Sequence, residues 1–224
     1  MSDVQWEDIR ERFVDMKHEL TSHMKNVEGY LVDHPELSFE TKGKVHSSRS
    51  RIKNEAHLRE KIARKSAKGR DITPDNLFSE VTDLVGVRVL LLFQQDFADV
   101  DRIVRGKVDL GDWYLDERPK AFTWDPEARQ FFERFDLDVE TRDTFYTSVH
   151  YLIRPHRESP LCCEVQVRTL FEEIWGEVDH RLNYPKKVES VACREQLLVL
   201  SKIVGAGSRL VDSIRRTMED EHSR

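Results

Sequence analysis

Three polar side chains of different chemistry alternate with valines in the C-terminal half of the chain. They are a carboxylate, an amide and a guanidinium, at Glu164, Gln166 and Arg168. Successive side chains of an extended strand point to opposite faces, so these three share one face. Groups of this kind are costly to bury without partners. The pattern therefore predicts either the solvated face of an edge strand or a face that binds a charged ligand.

A further carboxylate precedes an apolar run. Asp83 comes just before residues 85–93, which are almost continuously apolar and rich in β-branched side chains, as expected of a central buried strand. The mouth of such a strand suits a magnesium ligand, because Mg²⁺ prefers hard oxygen atoms. The alternative is a turn in which Asp83 only caps neighbouring amides. Arg88, on the same strand, would face either phosphates or a nearby carboxylate.

Basic residues recur in the N-terminal third of the chain. Lys53, His57, Lys61 and Lys65 are spaced four residues apart, and on a helix they would form one stripe. A solvated helix face is the usual explanation. Ammonium groups also act as point charges towards phosphates, and the guanidinium of the nearby Arg51 can stack on a ring.

A tyrosine, a serine and a histidine alternate on another predicted strand. Tyr146, Ser148 and His150 would share one face of it. They are either ordinary strand residues or part of a binding surface.

Together these segments resemble the synthetase domain of the RelA/SpoT family, which makes the alarmones pppGpp and ppGpp. The family pattern E-[IV]-Q-[IV]-R-T matches residues 164–169, and D-[LI]-x-G-x-R matches residues 83–88. The helix pattern of its small stand-alone members, W-A-x-x-E-H-x-L-x-Y, follows. Four positions match it: Trp175, His180, Leu182 and Tyr184. Gly176 and Asp179 are conservative departures from it. We expect His180 and Tyr184 to be structural. The resemblance runs from about residue 51 to residue 184 and is weak across 107–141.

The resemblance implies roles for these residues. The donor ATP is expected to contact four basic residues: Arg51, Lys53, Lys61 and Arg88. The acceptor nucleotide is expected to contact Tyr146, which would stack on its base, and four polar residues: Ser148, His150, Gln166 and Arg168. Asp83 and Glu164 are implied as the catalytic residues and as the ligands of Mg²⁺, and the alternative role for Glu164 is to take the proton from the attacking hydroxyl. His57 replaces the family's usual serine.

The implied reaction moves the β,γ-pyrophosphate of ATP to the ribose 3′-hydroxyl of GDP or GTP, giving ppGpp or pppGpp and AMP. Phe145 occupies a position where the family has glycine. We expect phenylalanine to be unable to adopt the dihedral angles that glycine provides there, which leaves the acceptor open. A toxin-type member that modifies the 3′ end of tRNA, with an antitoxin partner, or makes adenosine alarmones is one alternative. A catalytically inactive nucleotide-binding module is another.

Composition narrows the class of protein. The 224 residues carry a formal net charge of −6 and include 35% charged residues, which argues against broad nucleic-acid binding. No apolar run approaches the roughly 20 residues of a membrane span. Three cysteines, two of them adjacent, indicate a reducing compartment rather than a disulfide framework. We therefore expect a cytoplasmic protein.

The elements that must position these residues follow from periodicity. We predict one amphipathic N-terminal helix that ends before Pro35, and a long helix over residues 188–218. Between them we predict strands over residues 38–46, 85–93 and 113–116, and an antiparallel hairpin of 146–154 with 161–168. We also predict helices over 50–65, 74–81, 97–105 and 126–135. Thr73 is the expected N-cap of the second of these helices, and the third is expected to lie between Asp96 as its cap and Gly106.

The expected fold is α/β: a single mixed β-sheet of the nucleotidyltransferase-like RelA/SpoT synthetase type, flanked by helices, with long N- and C-terminal helices. We divide it into an N-terminal helix (1–35), a synthetase core (36–187) and a C-terminal helix (188–224) that packs on the core or on a partner subunit. Small members of the family assemble as homotetramers, so a tetramer or dimer is expected. The hydrolase and regulatory domains of the long members have no counterpart in this sequence, which resembles a small stand-alone synthetase.

Overall fold

The computed structural model describes residues 3–142, 144–183 and 188–222. Its helices are α1 (Asp3–Asp15), α2 (Lys17–Asp33), α3 (Glu55–Ser66), α4 (Leu77–Glu80), α5 (Phe97–Asp109), α6 (Pro126–Phe132), α7 (Leu170–Asn183) and α8 (Val191–His222). Its strands are β1 (Val45–Ile52), β2 (Val85–Leu91), β3 (Tyr114–Leu115), β4 (Lys120–Thr123), β5 (Asp138–Thr141), β6 (Ser148–Arg154) and β7 (Cys163–Thr169).

The seven strands form one mixed sheet, which confirms the predicted fold class. The order is β1-β2-β7-β6-β4-β5, and β3 pairs with β6 outside this path. The central pair β2 and β7 is parallel, and β1 and β6 flank it in antiparallel orientation. The predicted hairpin is thus confirmed as β6 and β7, and the apolar run is the central strand β2.

One face of the sheet is apolar and is covered by the N-terminal helices. Leu20, Val27 and Leu31 of α2 are buried in the same core as the valines of β2 and β7, and α2 contacts β1, β2 and β7. The opposite face carries the polar side chains, and α7 packs beside it against β2 and β7. The alternation of apolar and polar residues along β2 and β7 decides which face is which.

The N-terminal segment differs from its prediction in two places. The single helix is divided at Met16, whose backbone leaves the helical region at φ −91° and ψ 1°, although the Leu20 amide still donates to the Met16 carbonyl. The predicted strand over residues 38–46 is wrong except for its last two residues, which begin β1. Residues 35–42 form hydrogen-bonded turns, and the strand starts at Val45.

The predicted helix over residues 50–65 starts five residues later. Residues up to Ile52 belong to β1 because they pair with β2. The helix begins after Asn54, whose side chain accepts a hydrogen bond from the His57 amide, as expected of an N-cap. Lys53 therefore precedes the helix, and the predicted four-residue basic stripe on one helix face is wrong.

The ends of two further helices are also corrected. Asp96 occupies the N-cap position of α5 as predicted, but its side chain makes no capping hydrogen bond. It ends a 3₁₀ turn (Gln94–Asp96) and pairs with Arg215 on α8. The same helix continues through Gly106 to Asp109, and the chain turns at Gly111, where φ is +79°. The Thr73 hydroxyl accepts a hydrogen bond from the Asn76 amide, but α4 itself starts only at Leu77.

Strands β4 and β5, in the segment 119–142, were not predicted; α6 between them was. The long helix α8 is confirmed and packs on α7 and on the 3₁₀ turn. Several of its apolar side chains stay exposed: Val199, Ile203, Leu210, Ile214 and Met218. Within the described ranges, no helix combines the length and apolar character needed to cross a membrane.

Candidate active site

The strand register brings the polar residues of four strands into two adjacent rows. One row reads Arg49, Arg88, Gln166, His150 from β1 to β6, and the next reads Arg51, Gly86, Glu164, Leu152. A Cβ at Gly86 would lie 3.3 Å from the Glu164 carbonyl oxygen. The β1, β2 and β7 residues of these rows form the floor of a cleft of about 790 Å³.

Most of the predicted site residues line this cleft. They are Arg51, Lys53, Asp83, Arg88, Tyr146, Glu164, Gln166 and Arg168. Lys61 and His150 do not line the cleft, but each contacts a carboxylate that does. Residues distant in the sequence are thus brought together because β2 and β7 are neighbours.

On the side predicted to bind the donor ATP, one carboxylate contacts two ammonium groups. Asp83, just before β2, lies 3.1 Å from Lys53 Nζ and 2.5 Å from Lys61 Nζ. Burial alone would raise the pKa of the Asp83 carboxyl, but the charges of Lys61 and Lys53 outweigh it and hold the pKa below its usual value. Burial lowers the pKa of Lys53, against the opposing effect of Asp83. The carboxylate is therefore ionised at neutral pH.

On the side predicted to bind the acceptor, a series of polar contacts leads from Tyr146 to Gln166. The Tyr146 hydroxyl lies 3.0 Å from His150 Nε2, and His150 Nδ1 lies 3.3 Å from Glu164 Oε1. The Gln166 amide donates to the other Glu164 oxygen at 2.7 Å. Burial would raise the pKa of Glu164, but the hydrogen bond and charge of His150 outweigh it and the pKa is lowered. Glu164 is thus an ionised, oriented carboxylate.

Comparison with known proteins identifies the family. The profile described as "Region found in RelA / SpoT proteins" matches residues 50–189, which is more than half of the chain. The chain belongs to the RelA/SpoT family. A curated relative, the GTP pyrophosphokinase YjbM of Bacillus subtilis (strain 168), is 25% identical over 203 residues, covering 84% of this chain and 81% of the relative.

Solved structures of small RelA/SpoT proteins share the fold. A GTP pyrophosphokinase family protein from Streptococcus pneumoniae superimposes with a TM-score of 0.68 at 18% identity over 99% of this chain and 97% of its own. The small alarmone synthetase 1 of Bacillus subtilis, bound to its product pppGpp, gives 0.67 at 18% identity over 97% and 100%. The same protein bound to AMPCPP gives 0.64 at 18% identity over 97% and 99%.

Two residues carried over from the RelA/SpoT family lie elsewhere than expected. Ser148 is fully buried, and its hydroxyl donates to the Val167 carbonyl at 3.4 Å, so it lies within the sheet rather than in the cleft. His180, expected to be structural, lines the cleft. Tyr184 lies outside the described residues.

Phe145 corrects an expectation about the family glycine. Its φ is +52°, the only positive value of a non-glycine residue among those described. The phenylalanine therefore does adopt the left-handed conformation, at a cost of about 1–2 kcal/mol. Its ring packs edge-on against Trp124 with centroids 5.4 Å apart, which helps to hold it there. The backbone before Tyr146 keeps a conformation that glycine would favour.

Sequence reasoning missed three charged residues of this RelA/SpoT cleft. Glu173 and Glu177, one turn apart on α7, contact Arg88 at 2.7 and 3.0 Å, and Arg49 on β1 lies 3.6 Å from Glu173. Two signals were available. Arg49 alternates with Arg51 on a strand, and carboxylates at i and i+4 share a helix face.

The donor set of the cleft fits magnesium. In the part of the chain that the structure describes, no three His, Cys, Asp or Glu side chains converge as metal ligands. Asp83 and Glu164 nevertheless line one cleft as ionised carboxylates. Mg²⁺ commonly takes one or two carboxylates and completes its shell with substrate phosphates and water, so these two residues are the ones that would hold it.

Proposed function

We propose that this RelA/SpoT protein transfers the β,γ-pyrophosphate of ATP to the ribose 3′-hydroxyl of GDP or GTP, producing ppGpp or pppGpp and AMP. The observation that carries the proposal is the convergence of Asp83 and Glu164 on one cleft, with cations on one side and Tyr146 on the other. The names of the relatives support it, since one is a GTP pyrophosphokinase and another was solved with pppGpp.

The donor side suits a nucleoside triphosphate. Lys53 and Lys61 share one carboxylate, so their charges are only partly neutralised there. Arg51 and Arg88 lie in adjacent rows of the floor. Arginine recognises phosphate oxygens through a planar fork and lysine as a point charge. ATP phosphates would displace the ammonium groups from Asp83 and free that carboxylate.

The acceptor side suits a nucleotide whose base stacks on an aromatic ring. Tyr146 lines the cleft, and the Arg168 guanidinium carbon lies 5.7 Å from its ring centroid. His150 and Gln166 both orient Glu164. A 3′-hydroxyl placed near Glu164 would meet an ionised carboxylate that can accept its proton.

Pyrophosphoryl transfer needs in-line placement and charge neutralisation more than covalent chemistry. When bound, Mg²⁺ would neutralise and orient the phosphates between Asp83 and Glu164. The chain's own part is to hold both nucleotides, to exclude other acceptors through the Tyr146 side, and to take up or stabilise charge at Glu164. The lowered pKa of Glu164 keeps it in the ionised form that either role requires.

A transfer assay tests the proposal directly. Purified protein is incubated with magnesium and ATP labelled at the γ-phosphate, and GDP, GTP, ADP and bulk tRNA are offered in separate reactions. We expect label in guanosine tetra- or pentaphosphate, and none after chelation of the metal. Label only in tRNA or in an adenosine product would replace the proposal with the toxin-type activity. ATP binding without any transfer would indicate an inactive nucleotide-binding module.

A further inference from the structure

One buried carboxylate on α7 joins three guanidinium groups of the cleft. Glu173 is 6% exposed. One of its oxygens lies 2.7 Å from Arg88 and 3.6 Å from Arg49, and the other lies 2.9 Å from Arg168 Nε. All three arginines line the cleft. A single side chain from a helix thus orders three flexible cations that come from three different strands.

The three arginines do not depend on Glu173 equally. Glu177 gives Arg88 a second carboxylate at 3.0 Å and Arg49 one at 3.9 Å. For Arg168 the structure shows only Glu173 as an ion-pair partner among the residues it describes. Loss of Glu173 would therefore leave Arg88 and Arg49 with an acidic neighbour and would release Arg168.

Gly176 provides independent evidence that the position of Arg168 is built into the helix. A Cβ at this residue would lie 2.5 Å from Arg168 Nη1, too close for any real contact. The guanidinium occupies the place of the missing side chain, one turn from Glu173. The RelA/SpoT pattern has alanine at this position. The glycine of this chain leaves the space that the Arg168 guanidinium occupies.

We infer that Glu173 is a positioning residue that holds Arg168 against Tyr146 and thereby sets the affinity for the acceptor nucleotide. The inference rests on the proposed function. Arg168 is the link, since its guanidinium lies over the Tyr146 ring while its Nε forms a buried ion pair with Glu173 at 2.9 Å, without hydrogen-bond geometry. A side chain fixed before binding spares the ligand the entropy of ordering it. The effect on acceptor binding should therefore exceed the effect on the donor side, where Arg88 keeps Glu177 as a partner.

The test compares Glu173→Gln with Glu177→Gln, which removes a charge from the same helix face without touching Arg168. We expect Glu173→Gln to raise the acceptor KM about tenfold and to change the ATP KM less than about twofold. Glu177→Gln, being half exposed, should change the acceptor KM by less than about threefold. Equal effects of the two variants on the acceptor KM, or an equal rise of both KM values in Glu173→Gln, would overturn the inference.

Gly176→Ala provides a second route to the same result if Glu173→Gln does not fold. Alanine is the better helix former, which offsets part of the cost of displacing the Arg168 guanidinium from its buried ion pair. A melting temperature measured beside wild type shows whether the variant is folded. We expect the acceptor KM to rise several-fold with little change for ATP. An unchanged acceptor KM in a folded Gly176→Ala protein would contradict the role of Arg168.

A binding measurement separates this inference from the proposed function. Calorimetric titration of GDP into wild type, Glu173→Gln and Glu177→Gln requires no turnover. If wild type transfers label to no guanine nucleotide, the proposed function fails. If wild type is active and Glu173→Gln binds GDP as tightly as Glu177→Gln does, only the positioning role fails.

Discussion

The two lysines of the proposed donor side and Arg168 of the proposed acceptor side are held in opposite ways. Lys53 and Lys61 form ion pairs with Asp83, which is itself a proposed metal ligand. Binding of phosphates and metal would therefore break these ion pairs. Arg168 is paired with Glu173, which is buried on α7 beside the cleft and takes no part in the proposed chemistry. The two lysines are therefore arranged to exchange partners, and Arg168 is arranged to stay fixed.

Glu164 lies between the two sides and should show the largest effect. Glu164→Gln keeps the shape and loses the charge, so we expect a fall in kcat of about 10²–10⁴-fold, the range for a general base. Circular dichroism and thermal unfolding should show a folded protein. Wild-type turnover by this variant would show that Glu164 is not catalytic. The comparison of a donor side and an acceptor side that meet at Glu164 would then fail.

A crossed pair of substitutions should separate the two sides. Tyr146→Ala removes the ring proposed to stack on the acceptor base, and stacking of this kind contributes about 1–3 kcal/mol. We expect its acceptor KM to rise roughly 10- to 100-fold while the ATP KM changes little. Lys61→Met removes a donor-side charge and keeps a side chain of similar length. We expect it to raise the ATP KM while the acceptor KM changes little. Parallel changes in both KM values for both variants would show that the sides are not separate.

The smallest expected effect is in acid stability. Glu164 and Asp83 have pKa values lowered below their usual 4.5 and 3.8. A lowered carboxyl pKa contributes stability that is present above the usual value and is lost as the pH falls through the folded value. Urea midpoints should thus decline below about pH 4.5 from the acceptor side and below about pH 3.8 from the donor side.

The corresponding variants identify each contribution. The acid decline should be shallower in Glu164→Gln on the acceptor side and in Asp83→Asn on the donor side. A decline of the same steepness in wild type and both variants would mean that neither carboxylate is held in its ionised form by its neighbours.

The local sequence pattern predicted an element correctly where neighbouring residues alone decide its structure. The apolar run 85–93 predicted the central strand β2, and the short connection between 154 and 161 predicted the hairpin of β6 and β7. Prediction failed where a distant strand competed with local preference. Residues 50–52 have the spacing of a helix but pair with β2, and the bend at Met16 has no signal that we identify in the sequence.

The site divides in the same way. The residue types of both catalytic candidates, and of most of the cleft lining, were read from short motifs, because alternation on a strand fixes which side chains share a face. The roles of Glu173, Glu177 and Gly176 were not predicted. The partner of a carboxylate or a glycine on a helix is not known until the strand that packs against the helix is known. Ser148 shows the converse, since it matches the motif but is buried in the sheet.

The sequence by itself determined the family, the mixed α/β class and the identity of the polar face, because periodicity and motif spacing are properties of neighbouring residues. Only the tertiary structure decided which cation meets which carboxylate. Ion pairs such as Arg168 with Glu173, or Lys61 with Asp83, join elements whose distance depends on sheet register and helix packing. Electrostatic contacts are set by a few ångströms, and that precision comes from the assembled fold.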